Sequence, residues 1–219
     1  MLAQQVAWIL QEVHAEGYLY RDVKLSNFIV GRQGAVTLID LGKAKRVGKE
    51  RTLTICGTVH AIPPEVLFGA GTYPYSYEFD YYQFGVLLYE MLVGVPPFGY
   101  EGANPKLREG TTHIIADIAK GLNEEQLKLV KDPAAASLIK QLLFPPPTRL
   151  GGKGGWKEIL SHEYFQRLNS AELKTVYEGQ ANDQLLNRWE FEGARQEIED
   201  FGLDAGRYER EDSDPFENF

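Results

Sequence analysis

The most informative stretch of the chain spans residues 20–40 and reads YRDVKLSNFIVGRQGAVTLID. Two short runs of β-branched and other apolar residues, 28–30 and 35–39, are separated by four residues that begin and end with glycine. This pattern predicts a β-hairpin. Because the two ends of a hairpin are neighbours, we expect Asn27, before the first strand, to lie close to Asp40, after the second.

Four polar residues around this hairpin together have the chemistry of phosphoryl transfer. Asp22 offers a carboxylate to accept a hydroxyl proton, and Lys24 offers a cation to balance a moving phosphoryl group. The oxygen atoms of Asn27 and Asp40 are hard ligands that suit Mg²⁺. A D-x-K or D-x-G triplet by itself is common on protein surfaces without any function. The joint pattern, with a hairpin between its halves, predicts a phosphoryl-transfer site.

The rest of the chain predicts a mainly α fold. Apolar residues recur at three-to-four spacing over residues 2–13, and Gly17 ends the pattern. Asp80 is the predicted N-cap of a helix that is apolar nearly all round, belongs at the centre of the core and ends at Gly94. Residues 41–79 are expected to be irregular. Further helices are predicted at about 112–120, 123–130, 133–143 and 156–161.

The charge of the chain excludes some partners. The formal charge is −8, from 23 Lys+Arg against 31 Asp+Glu, which argues against nucleic acid and anionic membranes. The whole excess lies in the last 31 residues, from Trp189. The most apolar run, 85–95, is too short to span a bilayer and carries Glu90. The single cysteine, Cys56, cannot form an internal disulfide, so a reducing, cytoplasmic location is expected.

Several motifs resemble those of eukaryotic protein kinases. Residues 20–27 are similar to the kinase catalytic loop, residues 40–42 to the magnesium-binding D-F-G triplet, and residues 63–65 to the A-P-E triplet. Residues 52–58 and 148–151 resemble more narrowly the AGC group of Ser/Thr kinases, which includes the cyclic-nucleotide-dependent enzymes. The resemblance implies ATP and Mg²⁺ as cofactors and a protein substrate.

The resemblance also implies a domain organisation. Residues 1–165 resemble the large C-terminal lobe of a kinase, and residues 166–219 loosely resemble the AGC C-terminal extension, acidic from about 189. No G-x-G-x-x-G loop or V-A-I-K lysine precedes Met1, so the small β lobe is expected to be absent and the chain inactive alone. Two other interpretations stay open: a non-catalytic docking or scaffold protein, and a half that a separately supplied small lobe complements.

The resemblance assigns roles at the phosphoryl-transfer site. Asp22 would be the catalytic base and Lys24 would contact the γ-phosphate, which favours Ser/Thr over Tyr specificity. Asn27 and Asp40 would hold Mg²⁺. Thr58 would hydrogen-bond to both Asp22 and Lys24.

Three further residues receive structural roles from the same resemblance. Asp80 would anchor the backbone of the catalytic loop from the start of the central helix. Glu65 and Arg149 would form a buried ion pair, with two unrelated surface charges as the alternative. The glycine-rich residues 151–155 look like a phosphate cradle, yet they follow no strand and lack the P-loop spacing, so a surface loop is expected.

An activation-loop phosphosite is also implied, at Thr54. Its phosphate would pair with Arg21 and Lys45 and so order the segment. The alternative is an unmodified loop threonine.

Substrate contacts depart from the pattern of basophilic relatives. Ser26 and His60 stand where those relatives carry acids, while Glu90 matches a third acid. A preference for arginine-rich substrates is therefore weakened. The side chains that would form an apolar pocket for the residue after the target are Ile55, Val59 and Ile62.

Overall fold

Helices dominate the computed structural model, which describes residues 2–31, 34–47, 51–100 and 110–167. The helices are α1 (Leu2–Ala15), α2 (Pro64–Leu67), α3 (Glu78–Val93), α4 (Thr111–Lys120), α5 (Glu124–Leu129), α6 (Pro133–Leu142), α7 (Gly155–Leu160) and α8 (Glu163–Gln166). The mainly α prediction is confirmed, and the predicted helices at 112–120, 123–130, 133–143 and 156–161 are present with ends shifted by one residue or so. The predicted extension, 166–219, lies outside the described residues apart from its first two positions.

Within the described part of the chain, four short strands form two small antiparallel sheets. Strand β1 (Tyr18–Leu19) pairs with β4 (Lys45–Arg46), and β2 (Phe28–Val30) pairs with β3 (Val36–Leu38). The second pair is the predicted hairpin. Its pairing continues beyond β2 and β3, because the Ile39 amide donates to the Asn27 carbonyl at 2.9 Å. This bond brings the two chain segments that carry Asn27 and Asp40 together.

Helix α3 is the centre of the core. Every residue from Phe79 to Tyr89 is buried, and Gly94 ends the helix in the left-handed conformation (φ 93°) that favours glycine. Helix α6 approaches α3 so closely that a Cβ atom on Gly85 would stand 2.8 Å from Leu142 Cβ. The central helix is therefore enclosed by its neighbours, as its all-round apolar character predicts.

The prediction that Asp80 caps α3 is wrong. The helix begins at Glu78, three residues earlier than predicted, and its N-cap residue, Tyr77, makes no side-chain capping bond. Asp80 lies within the first turn, where its carboxylate accepts hydrogen bonds from a different segment of the chain. A helix can begin without a side-chain cap when packing of its buried face stabilises it.

Residues 41–79 are more ordered than expected. Besides β4 and α2, the described residues of this segment contain a 3₁₀ turn at Val59–Ala61. They also contain an isolated bridge between Thr52 and Tyr75, whose backbones exchange two hydrogen bonds of 2.9 Å. Tyr75 is fully buried beside Phe79 in a cluster that also contains Ile62. Long-range packing, which local composition does not reveal, orders this segment.

The glycine-rich segment 151–155 does cradle an anion, but the anion belongs to the protein. The Glu158 carboxylate accepts from the amides of Gly151, Lys153 and Gly154 at 2.9–3.3 Å. Those amides are therefore already satisfied, which agrees with the expectation of a surface loop. No helix of the described residues has the length and apolarity needed to cross a membrane.

Candidate active site

The carboxylate of Asp22 is surrounded by hydrogen-bond donors. It is only 2% exposed, and Lys24 Nζ lies 2.7 Å from its Oδ2. Asn27 Nδ2 donates to the same oxygen at 3.1 Å. The other oxygen, Oδ1, accepts from Lys43 Nζ at 3.1 Å and from Thr58 Oγ1 at 3.2 Å. The structure thus brings together Asp22, Lys24, Asn27 and Thr58, although Thr58 contacts Asp22 rather than Lys24.

These contacts determine the charge state of Asp22. Burial raises the pKa of the carboxyl group, but the hydrogen bonds from Lys24, Lys43 and Asn27 outweigh it, and the pKa is lowered overall. Asp22 is therefore an ionised acceptor at neutral pH.

Lys43 is a member of this cluster that sequence reasoning missed. It directly follows the D-L-G triplet, and its ammonium bonds Asp22 as described above. Its position next to a recognised motif was the available signal. That signal was weak, because a lysine in a segment rich in charge does not reveal in which direction its side chain points.

The Asp80 carboxylate, in the first turn of α3, binds the backbone of the loop that carries Asp22. One carboxylate oxygen accepts from the Tyr20 amide at 2.7 Å and the other from the Arg21 amide at 2.8 Å. His14 Nε2 lies 2.8 Å from Oδ2, and Trp156 Nε1 donates to His14 Nδ1 at 2.9 Å. Because an indole N–H can only donate, His14 Nδ1 must accept, and the ring proton on Nε2 then points at Asp80. Every proton in this buried chain has a defined acceptor.

A second residue of α3 holds the same loop and was not identified from the sequence. Gln83, fully buried, accepts from the Val23 amide at 3.0 Å and donates to the Arg21 carbonyl at 3.3 Å. Gly57 (φ 110°) packs directly against this contact. A larger residue would not fit there, because its Cβ atom would stand 2.9 Å from the Arg21 carbonyl oxygen. A polar residue in the most apolar helix, three positions after Asp80, was the signal for Gln83.

Asn27 and Asp40 offer oxygen atoms of the kind that Mg²⁺ prefers as ligands. Asn27 Nδ2 donates to the backbone carbonyl of Asp22 at 2.9 Å and also to its carboxylate. The side-chain oxygen of Asn27 is therefore the atom that remains to bind a metal ion. Asp40 is exposed, with φ 63°, and Oδ1 accepts from the Gly42 amide at 3.0 Å. The described residues hold no cluster of three or more His, Cys, Asp or Glu side chains suited to a metal. Mg²⁺ bound together with a nucleotide needs only one or two protein carboxylates.

Thr54 is exposed, unlike its neighbour Thr52. Lys45 Nζ donates to Thr52 Oγ1 at 2.9 Å, and the Thr54 amide lies 3.4 Å from the same hydroxyl. The Tyr75 hydroxyl donates to the Thr54 carbonyl. The Thr54 side chain therefore faces solvent while its backbone is fixed close to a lysine.

Arg21 is held in an unusual conformation. Its φ of 68° is left-handed, and Nε donates to the Lys43 carbonyl at 2.7 Å. The residue is 9% exposed, and Nη1 has no hydrogen-bond partner among the described residues. A buried guanidinium nitrogen without an acceptor is costly and favours an incoming anion.

Glu65 and Arg149 form a bidentate pair. Nη1 lies 2.6 Å from Oε1 and Nη2 donates to Oε2 at 3.0 Å, with the Arg149 side chain only 1% exposed. The same guanidinium donates to the carbonyls of Phe144 and Glu78, and its carbon stands 5.0 Å from the centre of the Tyr82 ring. The pair fastens α2 to the start of α3 and to the segment after α6.

The predicted substrate contacts are dispersed. Ile55 is exposed, Val59 packs against one core cluster, and Ile62, 4% exposed, is buried in another. Ile62 therefore offers almost no surface to a substrate. Glu90 is half-buried near the end of α3, and burial raises its pKa.

Comparison with known proteins identifies the family. Residues 1–165 match the model of the protein kinase domain, so the chain belongs to the protein kinase family.

The most similar relatives include several Ser/Thr kinases. A "cAMP-dependent protein kinase, catalytic subunit-like" protein of Caenorhabditis briggsae is 33% identical over 171 residues, which cover 76% of this chain and 40% of the relative. The cAMP-dependent protein kinase catalytic subunit 3 of Drosophila melanogaster is 36% identical over 76% of this chain and 27% of the relative. The serine/threonine protein kinase ypkA of Aspergillus fumigatus is 36% identical over 75% of this chain and 24% of its own length. The resemblance to AGC-type kinases is confirmed, and the chain spans less than half the length of these relatives.

Proposed function

We propose that this chain is the catalytic-loop part of a Ser/Thr protein kinase, which transfers the γ-phosphoryl group of ATP to Ser or Thr hydroxyls of a protein. The observation that carries the proposal is the ionised Asp22 carboxylate, buried to 2% exposure beside Lys24, with Asn27 and Asp40 at adjoining ends of the hairpin. Residues 1–165 then correspond to a kinase large lobe and 166–219 to its extension. ATP as donor suggests the cytoplasm.

Each side chain has a role in this chemistry. Asp22 orients the acceptor hydroxyl and takes its proton, while Thr58 holds one carboxylate oxygen in place. Lys24 stabilises the charge on the moving phosphoryl group. Asn27 and Asp40 would hold Mg²⁺, which when bound neutralises phosphate charge.

A kinase small lobe is the second proposed partner besides the protein substrate. Apolar side chains beside Asn27 are exposed, with Leu25 at 42%, Ile29 at 53% and Val30 at 52%. Exposed apolar patches mark contact surfaces, which supports a partner at this face. The partner would complete the ATP site from its own side.

The test measures phosphoryl transfer from radiolabelled ATP to Ser- and Thr-containing peptides. The full chain is assayed alone and after co-expression with the small lobe of a cAMP-dependent relative. We expect no transfer by the chain alone, and with the small lobe present we expect transfer that requires Mg²⁺ and is lost with EDTA. Transfer in neither preparation would contradict the proposal.

One observation favours a non-catalytic docking role instead. Both oxygens of Asp22 already have two donors each, which leaves no free acceptor for a hydroxyl in this arrangement. Peptide binding without transfer, in the presence of the small lobe, would support docking.

We further propose that Thr54 is phosphorylated and that its phosphate pairs with Arg21 and Lys45. The exposed Thr54 hydroxyl, the unpartnered Arg21 Nη1 and the nearby Lys45 support this, since a phosphate adds about two negative charges and strong acceptors. Thr52 has its hydroxyl bound to Lys45 and serves as the internal control.

Mass spectrometry of protein from its native cells should therefore find phosphate on Thr54 and none on Thr52. Treatment with phosphatase should increase proteolysis within residues 51–59, because the phosphate orders this segment. Active material in which Thr54 is always unmodified would refute the proposal.

A further inference from the structure

Lys43 combines a fixed backbone with a side chain that can move. Its carbonyl accepts from Arg21 Nε at 2.7 Å, so the main chain is tied to the catalytic loop. Its ammonium lies 3.1 Å from Asp22 Oδ1, and the side chain is 41% exposed. A lysine stem with this exposure has rotamers that take the ammonium into solvent.

The acceptor sites of Asp22 limit what else can bind there. A carboxylate has about four lone-pair sites, and four donors occupy them. A hydroxyl that donates to Asp22 must therefore displace one donor. Asn27 is 4% exposed and the Lys24 side chain 29%, while that of Lys43 is 41% exposed. Lys43 is the lysine with more access to solvent, and its departure opens Oδ1.

The charges at this edge of the site are mainly positive. Lys24 and Lys43 share a single carboxylate, that of Asp22. The His60 imidazole adds no charge at neutral pH, because burial, the larger cause, and the Lys24 charge both lower its pKa. Once Lys43 leaves Asp22, its ammonium enters solvent, where it can bind an anion on an approaching peptide; in the described residues its one ion pair is with Asp22.

We propose that Lys43 determines substrate specificity, by leaving Asp22 to pair with a carboxylate or phosphate on the acceptor peptide. This inference rests on the proposed kinase function. In the peptides of the test the anionic residues stand before the target position. Lys43 then attracts a peptide with an acidic residue, and by pairing with that residue it leaves Asp22 Oδ1 open to the hydroxyl of the peptide. An arginine at the same place in the peptide is repelled by Lys43.

Peptide binding tests this inference without requiring catalysis. Three fluorescent peptides share one sequence with alanine at the target position and differ only in the two preceding residues, which are Glu-Glu, Gln-Gln or Arg-Arg. Anisotropy titrations with the full chain at low salt should rank affinity as Glu above Gln above Arg. We expect about a tenfold ratio between the extremes, shrinking as salt screens the charges.

Two variants and a control make the test specific. Lys43→Met should remove most of the Glu-over-Arg ratio, and Lys43→Arg, which keeps the charge, should retain it. Lys128→Met is the control, since Lys128 is an exposed lysine on α5 paired with Glu125, and this variant should preserve the ranking.

Three results would overturn the inference: equal binding of the three peptides, tightest binding of the Arg peptide, or no binding of any peptide. A ranking that survives in Lys43→Met would overturn it as well. None of these outcomes bears on Mg²⁺-dependent phosphoryl transfer, so the kinase proposal is judged separately.

Discussion

Replacing Asp22 by asparagine should lower Mg²⁺-dependent phosphoryl transfer by about 10²–10⁴-fold, the usual contribution of a positioned general base. The amide keeps the size of the carboxylate but loses its charge and one acceptor oxygen. Its NH₂ group must face either Lys24 or the pair Lys43 and Thr58, all of which donate. The variant therefore cannot accept a proton from the substrate, nor can it hold all of its present partners.

The fold should survive this change. Lys24 and Lys43 have partly exposed side chains and can turn to solvent, so neither ammonium is left buried without a partner. The control is Glu125→Gln, which removes a similar charge from a side chain that is 82% exposed, and it should transfer phosphate like the wild type. Retention of transfer within a few-fold of wild type by Asp22→Asn would refute the assignment of the base.

Replacing Asp80 by alanine should destabilise the fold by about 3 kcal/mol or more, because each buried polar group left unsatisfied costs roughly 1–3 kcal/mol. Asp80 is fully buried and accepts from the amides of Tyr20 and Arg21 and from His14. His14 cannot compensate by moving its proton to Nδ1, since Trp156 donates there. Three donors would lose their acceptor at once.

Two measurements check this prediction. The midpoint of urea denaturation should fall strongly, and the amides of Tyr20 and Arg21 should lose protection from hydrogen exchange. Glu125→Ala is the matched control, since its exposed pair with Lys128 should contribute no more than about 1 kcal/mol. An unchanged midpoint, with both amides still protected, would show that Asp80 does not hold the catalytic loop.

Local sequence patterns predicted much of the fold. The hairpin at 28–38 follows from two short β-prone runs around a glycine-bounded turn, and the helices follow from apolar periodicity. The prediction for Asp80 failed because an aspartate before an apolar run has the local signature of an N-cap. In the folded chain its carboxylate accepts instead from the backbone amides of Tyr20 and Arg21.

The candidate site was only partly predictable. Asp22, Lys24, Asn27 and Asp40 stand out because their residue types and the hairpin between them suggest one chemistry. Gln83 did not, because a glutamine in a helix carries no indication that it bonds a loop 60 residues away. The three residues of the expected apolar pocket also separated, since Ile62 is buried in a core cluster.

Local periodicity and residue chemistry at short spacing are enough to predict the mainly α class, the hairpin and the four residues of the phosphoryl-transfer motif. The groups that surround the Asp22 carboxylate, including Lys43, and the groups of α3 that hold the catalytic loop are apparent only in the folded chain. A buried polar group must find a partner wherever packing places one. That placement depends on contacts between distant segments, and no local pattern encodes it.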